Sequence, residues 1–358
     1  GMDKFAPKPV TVITGFLGSG KTTLLSALLK KEEMKNVAVI INEFGEVGLD
    51  HALVERSDEN IVELQNGCIC CTIQGDLQKT MLDLIDKMTK GDISYFDKVI
   101  IETTGLADPV PIIHTLISSM DLQRIYTLDG VITVVDATNG EKTLDLQPEA
   151  VKKSDLAERI IIRIIDLIEK DKELSLENRL RAINPSIKII KSSFGKVSIS
   201  DLIDLGAYDP FSKSRDVKQW LATESIDTHH DHDHDHHHVN VNRHDENIEA
   251  FSMTSDKPVN MMAFGLFKDL LMAQMGPDLL RLKGIINIEG RDRPAVIHGV
   301  QHIFHPVHWL DKWPDGERQT KLVFITRNVK KEQIEGFFNA LMGLVGDKGM
   351  PKEIADLL

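Results

Sequence analysis

An α/β domain with a mostly parallel sheet, followed by a smaller C-terminal α+β domain, is the fold class this 358-residue sequence predicts. Three observations carry that expectation. Short β-branched runs alternate with amphipathic helical patterns over the first two hundred residues. A polar stretch rich in His and Asp then interrupts the chain. Beyond it the order becomes strand, helix, several strands and a helix.

In chain order, strands are expected at 10–14, 37–42, 61–65, 98–103, 130–136, 159–165 and 187–192. Runs such as Val37-Ala38-Val39-Ile40-Ile41 are apolar throughout, which suits strands covered on both faces of a parallel sheet. Helical spacing appears at 24–32, 77–88, 109–120 and 176–183. Residues 1–212 therefore read as one α/β domain. Residues 213–247 read as a flexible linker, because 225–247 has neither helix nor strand period. The second domain spans 248–345, with strands at 248–254, 283–289, 295–300 and 320–326 and helices at 259–275 and 331–342. Residues 346–358 are left as a tail.

Composition narrows the function classes. A hydrophobic fraction of 42% and a charged fraction of 27% permit a sizeable core and exclude wholesale disorder. A net charge of −13 argues against a nucleic-acid partner, which would need a basic face. The longest apolar runs, 37–41 and 159–165, are too short to span a membrane. No secretory leader precedes Met2, and Gly1 reads as an expression scar. Three cysteines confined to 68–71 cannot build a disulfide framework, so a cytoplasmic location is expected.

Residues 15–22, Gly-Phe-Leu-Gly-Ser-Gly-Lys-Thr, match G-x-x-x-x-G-K-[ST] between an expected strand and an expected helix, which makes the first unit a P-loop NTPase domain. Glycines let the backbone curl so that successive N–H groups converge on phosphates. Gly18, Ser19, Gly20, Lys21, Thr22 and Thr23 are the candidate nucleotide-binding residues. Lys21 would serve the β- and γ-phosphates, and geometry gives its ammonium no structural partner. The Thr22 hydroxyl can ligate Mg²⁺. The strand at 98–102 ends in Glu102, which can reach the same Mg²⁺ through water. Gly105 could offer its N–H to a γ-phosphate and flip when that group leaves. Glu43, Glu46 and Asp50 lie in a Gly-hinged loop suited to a nucleotide-sensitive switch. The alternative for each acid is a solvated loop charge.

Cys68-Ile69-Cys70-Cys71 follows the turn Asn66-Gly67. Thiolates are soft ligands that select Zn²⁺, Cu(I) or cobalt over Mg²⁺. Two of the thiolates with a switch-loop carboxylate, Glu43 being the candidate, would make a reasonable tetrahedron with a His or water. The alternative is burial of the cysteines as small hydrophobes. Seven of the 14 His fall in the linker, at His229, His230, His232, His234, His236, His237 and His238, which suits weak, multi-ion metal binding. His298, His302, His305 and His308 lack zinc-finger spacing, and a structural role in a strand and turn is expected.

The segments at 15–25, 41–50, 66–71, 101–109, 134–140 and 148–151, with 296–306, 309–314 and 320–325 near the C-terminus, resemble those of the CobW-like P-loop GTPases, relatives of the hydrogenase and urease nickel-insertion GTPases. The resemblance covers nearly the whole chain apart from the linker. It implies GTP binding, slow GTP hydrolysis, and delivery of zinc, cobalt or another transition metal to a client metalloprotein of unknown identity; homo-oligomerisation stays open. One departure matters. Where such GTPases carry [NST]-K-x-D to read guanine, this chain has Arg163-Ile164-Ile165-Asp166. Asp166 can still accept from the guanine N1–H and N2–H₂ groups, and Ser193 can add a base-edge contact. Two other readings compete: a P-loop ATPase or small-molecule kinase, and a metal buffer with a degenerate nucleotide site.

Overall fold

The computed structural model describes residues 7–49, 54–57, 60–103, 108–165, 167–185, 187–193, 196–203, 248–300 and 303–345. The chain divides into two compact units, residues 1–214 and 215–358.

Nine strands form the sheet of the first unit: β1 (Lys8–Gly15), β2 (Val37–Ile41), β3 (Val54–Ser57), β4 (Ile61–Leu64), β5 (Ile69–Thr72), β6 (Lys98–Glu102), β7 (Tyr126–Asp136), β8 (Arg159–Ile164) and β9 (Lys188–Ser193). Their order is β3-β4-β5-β2-β6-β1-β7-β8-β9. Pairings from β5 across to β9 are parallel, while β4 runs antiparallel to both β3 and β5. β2 is apolar and buried along its whole length, and β6 is buried from Val99 to Glu102.

Helices α1 (Lys21–Leu29), α2 (Phe44–Val47), α3 (Leu77–Lys90), α4 (Val110–Ser118), α5 (Met120–Gln123), α6 (Gly140–Leu146), α7 (Pro148–Leu156) and α8 (Lys170–Ile183) accompany the strands. Local sequence explains the limits of α3. Asp76 caps its start by accepting from the Lys79 amide, and Gly91 ends it in the left-handed conformation. Its buried face is Leu77, Thr80, Met81 and Leu84, at helical spacing. On one side of the sheet, Leu24, Leu25 and Leu28 of α1 pack with Ile13, Val39 and Ile41.

In the first unit the sequence reading misses β3 and β5 and starts β7 late. Residues 69–72 form an internal strand rather than a loop after the turn, bonded to β4 on one edge and β2 on the other. A four-residue run with two cysteines gives too weak a β pattern to be read. β7 starts four residues before the expected 130, because Asp129 and Gly130 break its apolar pattern although Asp129 is buried.

Among the described residues, the second unit is a separate antiparallel sheet with two α-helices. Its elements are β10 (Ile248–Ser255), α9 (Met261–Met275), β11 (Leu279–Ile286), β12 (Ala295–Val300), β13 (Ile303–Phe304), β14 (His308–Trp309), β15 (Thr320–Arg327) and α10 (Lys331–Val345). The order is β10-β15-β11-β12-β13, with β14 also on β12. Phe264, Phe267, Leu270 and Leu271 of α9 and Ile334, Phe338 and Leu341 of α10 share a core with Leu282, Ile286 and Phe324 of the sheet. Phe267 meets Phe338 edge-on at 5.2 Å. Among the described residues, no helix is long and apolar enough to cross a membrane.

Candidate functional site

Where the parallel strands end, β1 runs through residues 16–20 into α1, and Gly18 and Gly20 take φ of +74° and +81°. With Gly15, Phe16, Ser19, Lys21, Thr22, Glu46 and Glu102, these glycines line a cleft of about 230 Å³. That is smaller than the ~300–1,000 Å³ of a typical complete ligand pocket, and it suits the phosphate end of a nucleotide. The backbone N–H groups opening α1 face this end of the sheet, where a helix N-terminus favours anions.

Lys21 contradicts one expectation: its ammonium does have structural partners. Its Nζ lies 3.3 Å from Glu102 Oε1 and donates to the Thr103 carbonyl. Both side chains are almost fully buried, at 8% and 1% exposure. Burial lowers the pKa of Lys21, and the charge of Glu102 opposes that shift. Burial likewise raises Glu102, with Lys21 pulling the other way. Neither Glu102 oxygen accepts a well-aligned hydrogen bond among the described residues, although the Lys21 ammonium and the Thr22 side chain both act on it. A buried carboxylate in that condition, lining one cleft with Thr22, fits a hard divalent cation.

The switch-loop acids divide. Glu46 lines the cleft, whereas Glu43 precedes α2 and is exposed. The Ser26 hydroxyl ties α1 to α2 by donating to the Val47 carbonyl at 2.6 Å. Ser193 ends β9, exposed and in register with Ile164. Asp50, Gly105, Asp166, His302 and the seven linker histidines lie outside the described residues.

The cysteines are not brought to one point. Strand alternation sends Cys70 into the core with Cys68, Val39 and Val62. Cys71 faces the opposite side, where Tyr126 of β7 and Asp83 and Lys87 of α3 sense its charge. All three are buried and carry no disulfide. Burial pushes the Cys68 and Cys71 thiols up to about 12, and Cys70 well above its ordinary value. Glu102 adds to the Cys70 shift, so charge at the phosphate cleft is felt on β5. Among the described residues, no three His, Cys, Asp or Glu side chains are grouped so as to hold a metal ion. In the second unit, His298 and His305 stack at 4.7 Å, and the His305 amide donates to the His298 carbonyl.

Two residues to which the sequence reading gives no part in the phosphate site touch the loop. Arg163 of β8 donates to the Ser19 and Gly20 carbonyls, and Lys153 of α7 donates to the Gly15 carbonyl. The available signal was burial: cations inside apolar segments need acceptors.

A parallel sheet whose first strand passes through a glycine loop into a helix opening with Lys21-Thr22 defines a P-loop nucleotide-binding protein. The comparisons with known proteins narrow the class. Residues 9–191 match the CobW/HypB/UreG nucleotide-binding domain, and residues 248–342 match the cobalamin synthesis protein cobW C-terminal domain. The zinc chaperone YjiA of Escherichia coli is 32% identical over 94% of this chain and 99% of its own length. The zinc chaperone CobW of Pseudomonas aeruginosa is 31% identical over 93% of this chain and 91% of its own. The crystal structure of Zn(II)-bound YjiA GTPase superposes with a TM-score of 0.64 at 30% identity, covering 94% of this chain and 99% of that one. The chain belongs to the CobW/HypB/UreG family.

Proposed function

We propose that this chain is a Mg²⁺-dependent GTPase whose nucleotide state controls the holding and release of a transition metal, zinc or cobalt, destined for a client metalloprotein. Gly18, Ser19, Gly20, Lys21, Thr22 and Thr23 bind the phosphates, and Gly105 senses the γ-phosphate. Thr22 and Glu102 hold Mg²⁺, which when bound neutralises charge on the β- and γ-oxygens. Lys21 adds a fixed positive charge to the same oxygens. Asp166 and Ser193 read the base. The cytoplasm suits this reading, because its reducing conditions keep Cys68, Cys70 and Cys71 as thiols.

Cys68, Cys70 and Cys71, with Glu43, take the cargo metal, and the seven linker histidines capture it weakly. The cysteines sit in core packing as neutral thiols, so loading the metal removes protons and reorganises the β4–β5 hairpin. The observation that carries the proposal is the buried Lys21–Glu102 pair lining the phosphate cleft, at the end of β6, two strands from β5 with its cysteines. Nucleotide binding draws Lys21 toward phosphate and changes what Cys70 senses.

The test measures zinc and cobalt affinity with and without a non-hydrolysable GTP analogue, and GTP affinity with and without metal. The seven linker histidines are replaced by Asn so that they do not mask a tight site. Coupling of about tenfold or more, equal in both directions, is expected. Equal metal affinities in every nucleotide state would leave a metal-binding GTPase without the delivery mechanism.

A further inference from the structure

Arg163 occupies the position where the family resemblance calls for Asn, Ser or Thr. It is buried at 6% exposure near the C-terminal end of β8, in register with Asp136 of β7 and Ser192 of β9. Its Nη1 donates to the Gly20 carbonyl at 2.8 Å and, more weakly, to the Ser19 carbonyl at 3.3 Å. A Cβ placed on Gly20 would fall 1.4 Å from that nitrogen. Gly20 is thus required twice, by its left-handed backbone and by the approach of the guanidinium.

We propose that Arg163 is a positioning residue of the phosphate site: by holding the Ser19 and Gly20 carbonyls, it turns the N–H groups of Gly20 and Lys21 toward bound phosphate. The proposal deepens the phosphate-binding reading and rests on it. The argument is peptide geometry. In a planar trans peptide the C=O and N–H point in opposite directions. The Ser19 carbonyl shares its peptide with the Gly20 N–H, and the Gly20 carbonyl shares its own with the Lys21 N–H. Anchoring both oxygens on the β8 side therefore directs both N–H groups to the other side.

Gly20 can sustain the contact because a carbonyl has two acceptor sites, and the second takes the Leu24 amide of α1 at 3.0 Å. A cationic donor also polarises each peptide it binds, which makes the opposed N–H a better donor to an anion. Lys153 repeats the device at the mouth of the loop, with its Nζ 2.9 Å from the Gly15 carbonyl. An Asn at position 163 could hold a carbonyl but would bring no charge. Arg163 thereby adds affinity for the phosphate chain that is indifferent to the base.

The experiment compares the full chain with its Arg163→Ala, Arg163→Gln and Arg163→Lys variants, using Mg–GTP, Mg–ATP and inorganic tripolyphosphate as probes. In Arg163→Ala, affinity for GTP and for tripolyphosphate should fall by the same factor, about tenfold or more. The GTP-to-ATP ratio should stay unchanged, and Arg163→Lys should recover part of the loss. Amide resonances of Gly20 and Lys21 should shift on adding tripolyphosphate to the wild type, and shift less in Arg163→Gln. That readout serves even if the alanine variant does not fold. Loss of GTP affinity with unaltered tripolyphosphate binding and unaltered amide shifts would place Arg163 at the base and overturn the proposal. If the wild type binds neither probe, the phosphate-site reading falls as well; if it binds both and the variants match it, only the role of Arg163 falls.

Discussion

Cys70 and Cys71 are adjacent on β5 yet face opposite sides of the sheet, Cys70 toward α1 and Cys71 toward α3 and Tyr126. Both thiols are held in the neutral form by burial. Zinc uptake must therefore displace protons, so apparent zinc affinity should climb steeply from pH 6.5 to 8.5. Two thiolate ligands would give about a hundredfold per pH unit. Competition with a chelator at several pH values measures the slope, and a flat line would remove the cysteines from the metal shell.

The same thiols set an alkaline limit. Cys68 and Cys71 have their folded pKa raised from 9.0 to about 12. The stability they contribute is whole below pH 9 and is lost as pH rises toward 12, because the unfolded chain ionises first. The melting temperature of the metal-free protein should fall between pH 9 and 11. Cys68→Ala should flatten that fall while lowering stability at pH 7 through the cavity it leaves.

Lys21→Ala should abolish triphosphate binding, and it should also destabilise the apoprotein. Removing the ammonium strands the Glu102 carboxylate in the core, a loss of about 3–5 kcal/mol. The folded pKa of Glu102 is raised already, and without Lys21 it rises further. The variant's deficit should thus be small at pH 4 and grow toward pH 8. Adding Glu102→Gln should restore most of the lost melting temperature. Unchanged stability in Lys21→Ala would deny that the pair is formed.

Base choice gives a separate test. Ile164→Lys should tighten GTP binding, because it restores at position 164 the Lys whose stem would cover the base. Asp166→Ala should bring GTP and ATP affinities together; an unaltered ratio would move base reading elsewhere.

In the second unit, acid should act through stacked histidines. Burial takes His305 down to about 3 and His298 well below its ordinary value, with His308, Arg281 and Lys283 adding repulsion. A depressed imidazole stabilises the fold only above the unfolded value near 6.5, and that contribution is lost as pH falls toward 3. His305→Phe should make the unit less sensitive to pH over 3–6.5 by thermal melting.

Much of the fold was legible because β1, β2, β6 and β8 are short runs centred on Val and Ile that alternate with helical patterns. The phosphate loop was legible because its glycines and Lys21-Thr22 occupy fixed spacings. β5 was obscured by its brevity and by cysteines that suggest chemistry rather than packing. Arg163 was read as a missing base-recognition residue, although a charge within the buried run 159–164 already implied an acceptor nearby. Partners come from folding: Gly20 and Arg163 are 143 positions apart and meet only because β8 lies two strands from β1.

The internal position of β5 bears on rates. Cys68 and Cys70 have no exposed surface, and β5, which carries Cys70, is hydrogen-bonded to neighbours on both edges. An ion arriving from solution finds neither of these two thiols open, so capture by Cys70 waits for the strand to part from β4 or β2. Uptake velocity should then level off as free metal is increased, at the frequency with which the strand opens. Under the proposed function, β5 would then act as a timed gate, admitting cargo on its own clock.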